Sequence, residues 1–208
     1  MPLIQTSKNF PSKEQKILLW HATETLQELM GLYPAEADEA KDRLASSASA
    51  SRRIEILVTQ ILFRIAFGKD ASLSRLPSGR PVALGSTMHL SISHTHGLVA
   101  LAASEHPIGI DVEAWGPRAM RLARKFLSID EMAMLNDSPE STAVSLWSAK
   151  EAAFKLWDEP GTTLYEDIRL SNDGPTHLIA THTKAPHLKA RVSIFPLKEA
   201  AFALATHY

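Results

Sequence analysis

The sequence predicts an α+β fold, on three observations. Predicted helices and strands follow one another in mixed order, without the regular β-α-β alternation of a doubly wound parallel sheet. Hydrophobic residues make up 45% of the chain and charged residues 22%, which is ordinary for a globular protein. A chain of 208 residues can bury one sizeable core or two small ones.

The N-terminal part is predicted to be mainly helical. Residues 1–12 have the pattern of a strand or a loose lead-in, and Ser12 is a candidate cap for the first helix. Apolar residues recur at helical spacing over residues 13–33, which predicts a helix. Pro34 is expected to end this helix. A second helical region is predicted over residues 35–67, with Gly68 as its C-terminal stop.

The middle of the chain is predicted to form strands. Residues 76–86 are rich in turn formers, and strands are predicted over 87–94, 98–104 and 108–113. The short turn HTHG joins the first two. We expect the strand that ends in SISH to neighbour the strand over 108–113.

The C-terminal part begins with helices and ends with strands. Helices are predicted near 117–126, near 129–136 and, most strongly, near 140–157. Residues 162–208 have the pattern of short strands separated by turns. No sequence repeat and no linker divides the chain.

Composition excludes several classes of function. The net charge is −1, so no global basic field favours a nucleic-acid or membrane partner. The absence of cysteine excludes disulfides, thiolate metal sites and cysteine nucleophiles, and it fits a reducing cytoplasm. The N-terminus lacks the pattern of a signal peptide, and no apolar run is long enough to span a bilayer. We therefore expect a cytoplasmic protein.

The stretch IGIDVEAW, residues 108–115, places two carboxylates inside an apolar run. Side chains alternate across a strand, so Asp111 and Glu113 share one face. Such a pair is more often the solvated face of a half-buried strand than a ligand set. Two like charges held together repel each other, however, and a cation would relieve that repulsion.

The stretch LWSAKEAAFKLW, residues 146–157, places Trp147, Glu151 and Lys155 at i, i+4 and i+8. These positions lie on one stripe of a helix. Taken alone, the stripe is most simply an exposed glutamate–lysine pair, which stabilises a helix by about 0.2–0.5 kcal/mol.

The stretch LSISHTHG, residues 90–97, ends an apolar strand with Ser93 and His94. A zinc site is not indicated, because His94 and His96 lack an obvious third ligand. Adjacent strand residues face opposite ways, which argues against Ser93 as a nucleophile activated by His94. A histidine bonded to backbone is the usual finding at such a position.

Taken in order, the motifs GRP, SISH, GIDVE, an arginine-bearing helix followed by a phenylalanine and a glutamate, and WSAKEAAFK resemble the 4′-phosphopantetheinyl transferase superfamily. The resemblance is to its larger, single-chain type and covers roughly residues 50–157. It implies two similar α+β halves packed in one chain, an N-terminal half over 1–104 and a C-terminal half over 105–208. The second half would carry a metal site at the interface between them.

The resemblance also assigns site residues. Asp111, Glu113 and Glu151 match the family's Mg²⁺ ligands, with the metal on the pyrophosphate of coenzyme A. Lys155 matches the lysine that contacts the phosphate. Lys150 matches the lysine beside the acidic ligand, and it is also expected to bind coenzyme A. General chemistry agrees, because Mg²⁺ prefers oxygen ligands and commonly combines a few carboxylates with substrate phosphates.

Further residues are implied to bind the nucleotide of coenzyme A. Ser93 and His94 match residues that hold its phosphates. Arg80 takes a position that is usually lysine in relatives and keeps the positive charge. Arg53, or its neighbour Arg52, is the candidate for the contact with the 3′-phosphate.

The implied reaction is the transfer of 4′-phosphopantetheine from coenzyme A to a serine of an apo acyl or peptidyl carrier protein, with release of 3′,5′-ADP. Catalysis is assigned to Glu151 and Lys155, and the base is either Glu151 or a metal-polarised water. Arg118, Arg121 and Lys125, at i, i+3 and i+7, form either a docking face for an acidic carrier or a merely solvated helix face. One chain carries all the motifs, so a monomer suffices.

Two alternatives stay open at this point. A Mg²⁺-dependent phosphohydrolase or nuclease would use the same acids and lysines, but it leaves SISH and GRP unexplained. A carrier-protein-binding homologue without catalysis would have no reason to hold the acids together.

Overall fold

The structure is a computed structural model that describes residues 3–5, 15–135 and 138–208. The chain divides into two compact units, Met1–His106 and Pro107–Tyr208. Both units combine helices with antiparallel sheets, which confirms the predicted α+β class. Within the described ranges, no helix has both the length and the apolar character needed to cross a bilayer.

The first unit has a main antiparallel sheet, a separate two-stranded hairpin and four helices among its described residues. Its elements are β1 (Leu3–Gln5), β2 (Gln15–His21), α1 (Leu26–Leu32), α2 (Pro34–Glu39), α3 (Lys41–Ala45), α4 (Ala50–Phe67), β3 (Ser72–Arg75), β4 (Pro81–Leu84), β5 (His89–Thr95) and β6 (Leu98–Ser104). The strand order of the main sheet is β1-β2-β6-β5, and β3 pairs with β4.

Helix α4 is the long helix of the first unit, and its sequence explains both ends. The Oγ of Ser49 accepts a hydrogen bond from the N–H of Arg52, which satisfies one free donor of the first turn. Gly68 follows with φ +75°, a conformation that glycine adopts without steric cost, so the predicted stop is confirmed. The helical region predicted over 35–67 is interrupted twice, and α2, α3 and α4 take its place.

Strand β2 overturns the first half of the helix predicted over residues 13–33. Residues 17–20 are four consecutive buried apolar residues, because β2 lies between β1 and β6 inside the sheet. A strand buried on both faces shows no alternation, so its sequence resembles part of a buried helix. The helix begins only at Leu26, with Thr25 as its cap. The predicted cap, Ser12, lies outside the described residues.

Strands β5 and β6 form the hairpin predicted from the HTHG turn. His96 (φ 40°) and Gly97 (φ 80°) connect the two strands. Positive φ at both central residues gives the backbone twist that a two-residue hairpin requires. The strands predicted over 87–94 and 98–104 are confirmed to within two residues.

The second unit has a five-stranded antiparallel sheet and three α-helices among its described residues. Its elements are β7 (Ile108–Ala114), α5 (Pro117–Leu122), a 3₁₀ turn (Ala123–Lys125), α6 (Ile129–Met132), α7 (Pro139–Trp157), β8 (Ile168–Asn172), β9 (His177–His182), β10 (Lys189–Pro196) and β11 (Ala200–His207). The strand order is β7-β11-β10-β9-β8.

The pairing of β7 contradicts one prediction. We expected the strand that ends in SISH to neighbour the strand over 108–113, but β5 pairs with β6 and β7 pairs with β11. The prediction was wrong because the partner of β7 is a strand some ninety residues further along the chain. Local sequence patterns do not reveal such a long-range pairing.

Helix α7 packs directly on β7, and Gly109 makes this contact possible. A Cβ atom at Gly109 would lie 2.0 Å from the carbonyl oxygen of Ala152 and 2.6 Å from the amide nitrogen of Leu156. The backbones of strand and helix therefore approach more closely than any side chain would allow. The helix predicted near 140–157 is confirmed, and it ends at Asp158 in the left-handed conformation.

Candidate active site

Two carboxylates of strand β7 point toward the layer that contains α7. Asp111 is buried, and Glu113 is half-buried two residues further along the same face. Gly109 occupies the preceding position of that face, where it contacts α7. The alternation of the strand thus places one glycine and two acids in a row beneath the helix.

Helix α7 presents Lys155 and Glu151 to this row. The Nζ of Lys155 lies 2.7 Å from Oδ1 of Asp111, in a partly buried ion pair. Glu151 lies one helical turn before Lys155 and so projects from the same stripe of α7. The close approach at Gly109 determines how near these side chains come to the strand.

The pKa of Glu151 reports on its surroundings. Burial raises this pKa above its ordinary value, and the negative charges of Asp111 and Glu113 raise it further. The ammonium of Lys155 acts in the opposite direction. Glu151 therefore faces β7 and shares one electrostatic environment with both strand carboxylates.

The acids are balanced by basic side chains in this structure. Lys155 pairs with Asp111, and a guanidinium nitrogen of Arg118 lies 3.7 Å from a carboxylate oxygen of Glu113. Among the described residues, no group of three or more His, Asp or Glu side chains is arranged to hold a metal ion. The three carboxylates thus influence one another electrostatically, but their side chains are not arranged as a set of metal ligands.

Lys150 does not belong to this cluster, and its assignment to the cofactor is corrected. Its side chain is 0% exposed, and its Nζ lies 2.6–2.9 Å from a carboxylate and three backbone carbonyls. These acceptors are Glu131 Oε2 and the carbonyl oxygens of Phe126, Leu164 and Ile168. An ammonium has three hydrogens, so none remains for a ligand. Burial lowers the pKa of Lys150, while Glu131 opposes that shift.

Glu131 is the ion-pair partner of Lys150, and it was not singled out from the sequence. Its Oε2 accepts from Lys150 and from the backbone N–H of Ser128, and its Oε1 accepts from the N–H of Leu170. The side chain of Ser128 in turn accepts from the N–H of Glu131, which completes a capping box. Ser at 128 and Glu three residues later is a sequence signal for such a cap. One buried carboxylate therefore joins α6, α7 and β8.

A second polar cluster lies in the first unit, on α4 and β5. His94 Nδ1 lies 3.2 Å from a carboxylate oxygen of Glu55, and Arg52 lies 3.0 Å from the same oxygen. A guanidinium nitrogen of Arg52 also contacts His94 Nε2. Because arginine can only donate, Nε2 accepts and Nδ1 carries the proton donated to Glu55. Glu55 had not been singled out from the sequence.

The other residues predicted to bind the nucleotide also lie in the first unit. Arg53 donates from its Nε to the carbonyl oxygen of Ser47 at 2.7 Å, so Arg52 is the arginine beside His94. Ser93 is buried and faces the opposite side of β5 from His94. Arg80 is half-buried at the turn that precedes β4.

The three residues predicted to dock a partner are all exposed. Arg118 and Arg121 belong to α5, and Lys125 ends the 3₁₀ turn after it. The single helix predicted near 117–126 is thus a shorter helix and a tighter turn. Arg118 is also the residue close to Glu113, so the basic segment begins beside the acid pair.

Comparison with known proteins shows what the chain is similar to. The sequence pattern of the 4′-phosphopantetheinyl transferase superfamily matches residues 107–205, nearly the whole second unit. The chain is 28% identical over 193 residues to the 4′-phosphopantetheinyl transferase psf-1 of Bacillus pumilus. The aligned region covers 87% of this chain and 82% of that protein.

Two relatives from Bacillus subtilis extend this similarity. The 4′-phosphopantetheinyl transferase ffp is 28% identical over 190 residues, 81% of this chain and 85% of that protein. The 4′-phosphopantetheinyl transferase Sfp of strain 168 is 33% identical over 105 residues, 47% of this chain and 46% of that protein. Residues 107–205 thus match the 4′-phosphopantetheinyl transferase superfamily, and relatives named as 4′-phosphopantetheinyl transferases align with most of the chain.

Proposed function

We propose that the protein transfers 4′-phosphopantetheine from coenzyme A to a serine of an apo acyl or peptidyl carrier protein and releases 3′,5′-ADP. One observation supports this proposal above the others. Asp111 and Glu113 of β7 share an electrostatic environment with Glu151 of α7, and Lys155 is 2.7 Å from Asp111. Acids and a lysine so combined can bind a phosphate group together with a cation.

The donor set fits Mg²⁺. Asp111, Glu113 and Glu151 offer only oxygen atoms, and the repulsion among them is what a divalent cation would relieve. When bound, Mg²⁺ would supply charge neutralisation on the phosphate oxygens of coenzyme A. Lys150 is not proposed to contact coenzyme A, because all its hydrogens are engaged elsewhere.

The chemistry is a displacement at phosphorus. The serine oxygen of the carrier forms a bond to the phosphorus that bears pantetheine, and the bond from that phosphorus to the bridging oxygen breaks. The bridging oxygen leaves with 3′,5′-ADP, and the serine proton passes to a base. The leaving phosphate is stable as an anion, so it needs no strong general acid. Catalysis therefore consists chiefly of positioning and charge neutralisation.

Glu151 and Lys155 divide these roles. The carboxylate of Glu151 can accept the serine proton, directly or through a water. Lys155 is held by Asp111 in the ligand-free protein and is partly exposed, so its ammonium can turn to a phosphate oxygen. The geometry is compatible with either Glu151 or a bound water as the base.

The nucleotide contacts are proposed for the first unit. Arg52, which is cationic, and His94, which is neutral in this arrangement, both contact the buried carboxylate of Glu55. Arg80 adds a positive charge at the turn before β4, and Ser93 and Arg53 complete the predicted set. Of the two arginines, we favour Arg52 for the 3′-phosphate because it adjoins His94.

The acceptor is proposed to be an acidic carrier protein that docks on Arg118, Arg121 and Lys125. Opposite charges steer such an encounter and set the association rate more than the final affinity. We expect the enzyme to act as a cytoplasmic monomer.

A mass-spectrometric assay tests this function. The protein is incubated with coenzyme A, Mg²⁺ and an apo carrier protein, and the carrier is weighed. Wild type should add one phosphopantetheine to the carrier, whereas Asp111→Asn should lower the rate by at least about 10²–10³-fold, because it removes a carboxylate that would hold the metal ion. Asp42→Asn, on exposed α3, is the matched control and should leave the rate unchanged.

Three outcomes contradict the proposal. Near-normal transfer by Asp111→Asn would reject the role of the acid cluster. Breakdown of coenzyme A without modification of the carrier would identify a phosphohydrolase. Binding of the carrier with no change to either substrate would identify a non-catalytic homologue.

A further inference from the structure

Ile129 is an unusually exposed apolar side chain. It is 87% exposed, more than any other large hydrophobic residue in the described part of the chain. Exposed leucines and isoleucines are common singly and need no explanation by themselves. Ile129 differs because of what holds it in place and what surrounds it.

The segment around Ile129 is fixed from both sides. Phe126 and Leu127 are buried directly before it, and Glu131 is buried directly after it. Ser128 and Glu131 cap the turn reciprocally, while Glu131 is tied to the buried Lys150. Ile129 cannot turn into the core unless this cap and this ion pair break. Its exposure is therefore a built-in property of the turn.

The residues before Ile129 are strongly basic. Arg118, Arg121, Arg124 and Lys125 are all exposed, and Asp130 is the one exposed carboxylate between residues 118 and 131. Lys125 is four residues from Ile129, so their Cα atoms are at most about 14 Å apart. An exposed apolar side chain thus follows a run of exposed cations closely along the chain.

We infer that Ile129 is the apolar anchor of the partner-docking surface, and that it inserts into an apolar pocket rimmed by carboxylates on the partner protein. Binding energy at interfaces concentrates in a few buried anchors, while rim charges mainly affect the rate of encounter. A rigidly presented side chain loses little conformational entropy on binding. Under the proposed function this partner is the apo carrier protein, and only the partner's identity rests on that function.

The test measures binding without transfer. The probe is an apo carrier protein whose acceptor serine is replaced by alanine, and its affinity is measured by calorimetry for wild type, Ile129→Ala and Leu32→Ala. Leu32 is the matched control, since it is 61% exposed on α1 and belongs to the first unit. Ile129→Ala should raise Kd about tenfold, and Leu32→Ala should leave Kd unchanged.

Salt dependence separates the anchor from the charges. The tenfold effect of Ile129→Ala should persist from low to high salt, whereas the effect of Arg121→Glu should shrink as salt screens the charge. In the transfer assay, Ile129→Ala should raise KM for the carrier while KM for coenzyme A and kcat stay the same. Its Tm should equal that of wild type, because the side chain is exposed.

The outcomes distinguish this inference from the proposed function. Equal Kd values for wild type and Ile129→Ala, or no measurable binding by wild type, overturn the inference. If wild type binds the carrier through Ile129 but transfers nothing, the inference holds and the transferase function fails. If transfer proceeds and Ile129→Ala has wild-type kinetics, the function holds and the inference fails.

Discussion

The two units share an arrangement of three strands but use the first of these strands differently. In each unit a seven-residue strand pairs with the last strand, which pairs with the strand before it: β2-β6-β5 in one and β7-β11-β10 in the other. The middle residue of β2 is Leu18, whereas the middle residue of β7 is Asp111. The same framework thus supports an apolar core in one unit and a charged site in the other.

This difference shows what a charged site requires. Leu18 needs only neighbours of suitable shape, since burial of apolar surface is favourable by itself. Asp111 is also buried, and a buried carboxylate is costly unless a charge or hydrogen bond compensates it. Lys155 supplies that compensation from α7. The charged strand therefore depends on its helix for electrostatics as well as for packing.

The largest expected effect on stability separates the two lysines of α7. Lys150→Met should lower the free energy of unfolding by about 3–5 kcal/mol, because it leaves the buried carboxylate of Glu131 without its cation. Lys155→Met should cost less, about 1–3 kcal/mol, since the Lys155 side chain is partly exposed although its partner Asp111 is buried, and it should also lower turnover by about 10²-fold. Urea unfolding and the transfer assay measure the two quantities. Equal free energies of unfolding for Lys150→Met and Lys155→Met would contradict the different roles assigned to the two lysines.

A smaller effect is expected at Gly109. Gly109→Ala should destabilise the protein by about 1–3 kcal/mol, because the added methyl group overlaps the backbone of α7 and must displace the helix. The displacement should also separate Lys155 from Asp111 and reduce transfer. Gly31→Ala, in α1 of the first unit, is the matched control, since nothing lies within 4 Å of its added Cβ.

Gly31→Ala should be neutral or stabilise the protein by up to about 1 kcal/mol, as expected for a helix interior. Thermal unfolding of Gly109→Ala and Gly31→Ala measures both changes in stability. Equal melting temperatures for Gly109→Ala and wild type would mean that the close approach of helix and strand is not required.

The smallest effect concerns the pH dependence of metal-free protein. The folded pKa of Glu151 is raised, so the protonated carboxyl contributes stability that is complete below its ordinary pKa of 4.5 and is lost as pH rises through the folded pKa. At neutral pH the ionised group is therefore a cost, and Glu151→Gln removes it. Glu151→Gln should melt above wild type at pH 7, and the difference should vanish below about pH 4.

Melting curves from about pH 3 to about pH 8 in the presence of a chelator measure this difference. Glu159→Gln, an exposed control just beyond α7, should follow wild type throughout. Added Mg²⁺ should stabilise wild type more than Glu151→Gln, because only wild type keeps all three carboxylates. A difference that does not depend on pH would contradict the electrostatic convergence of the acids.

The sequence predicted those parts of the fold whose patterns are local. The helix near 140–157 and the hairpin around HTHG carry strong periodicity and a specific turn, and both are present. Residues 17–20 were misassigned because a strand buried on both faces has no alternation. The pairing of β7 with β11 was missed because it joins distant parts of the chain.

The candidate site was predictable to the extent that it depends on side-chain direction. Glu151 and Lys155 lie on one stripe, and both face the acids of β7. Lys150 was misassigned because adjacency in a motif was given more weight than helical geometry. Consecutive helical residues point about 100° apart, so Lys150 projects away from Glu151 toward Glu131.

The position of Trp147 has a practical consequence. Its ring packs edge-on against Phe126 at 4.9 Å and lines a small pocket together with Glu113 and Arg118. An indole that lines the same pocket as a charged pair changes its ultraviolet emission when the local field changes. The molecule therefore contains an intrinsic optical reporter beside its acids, and ligand titrations can be followed without attaching a dye.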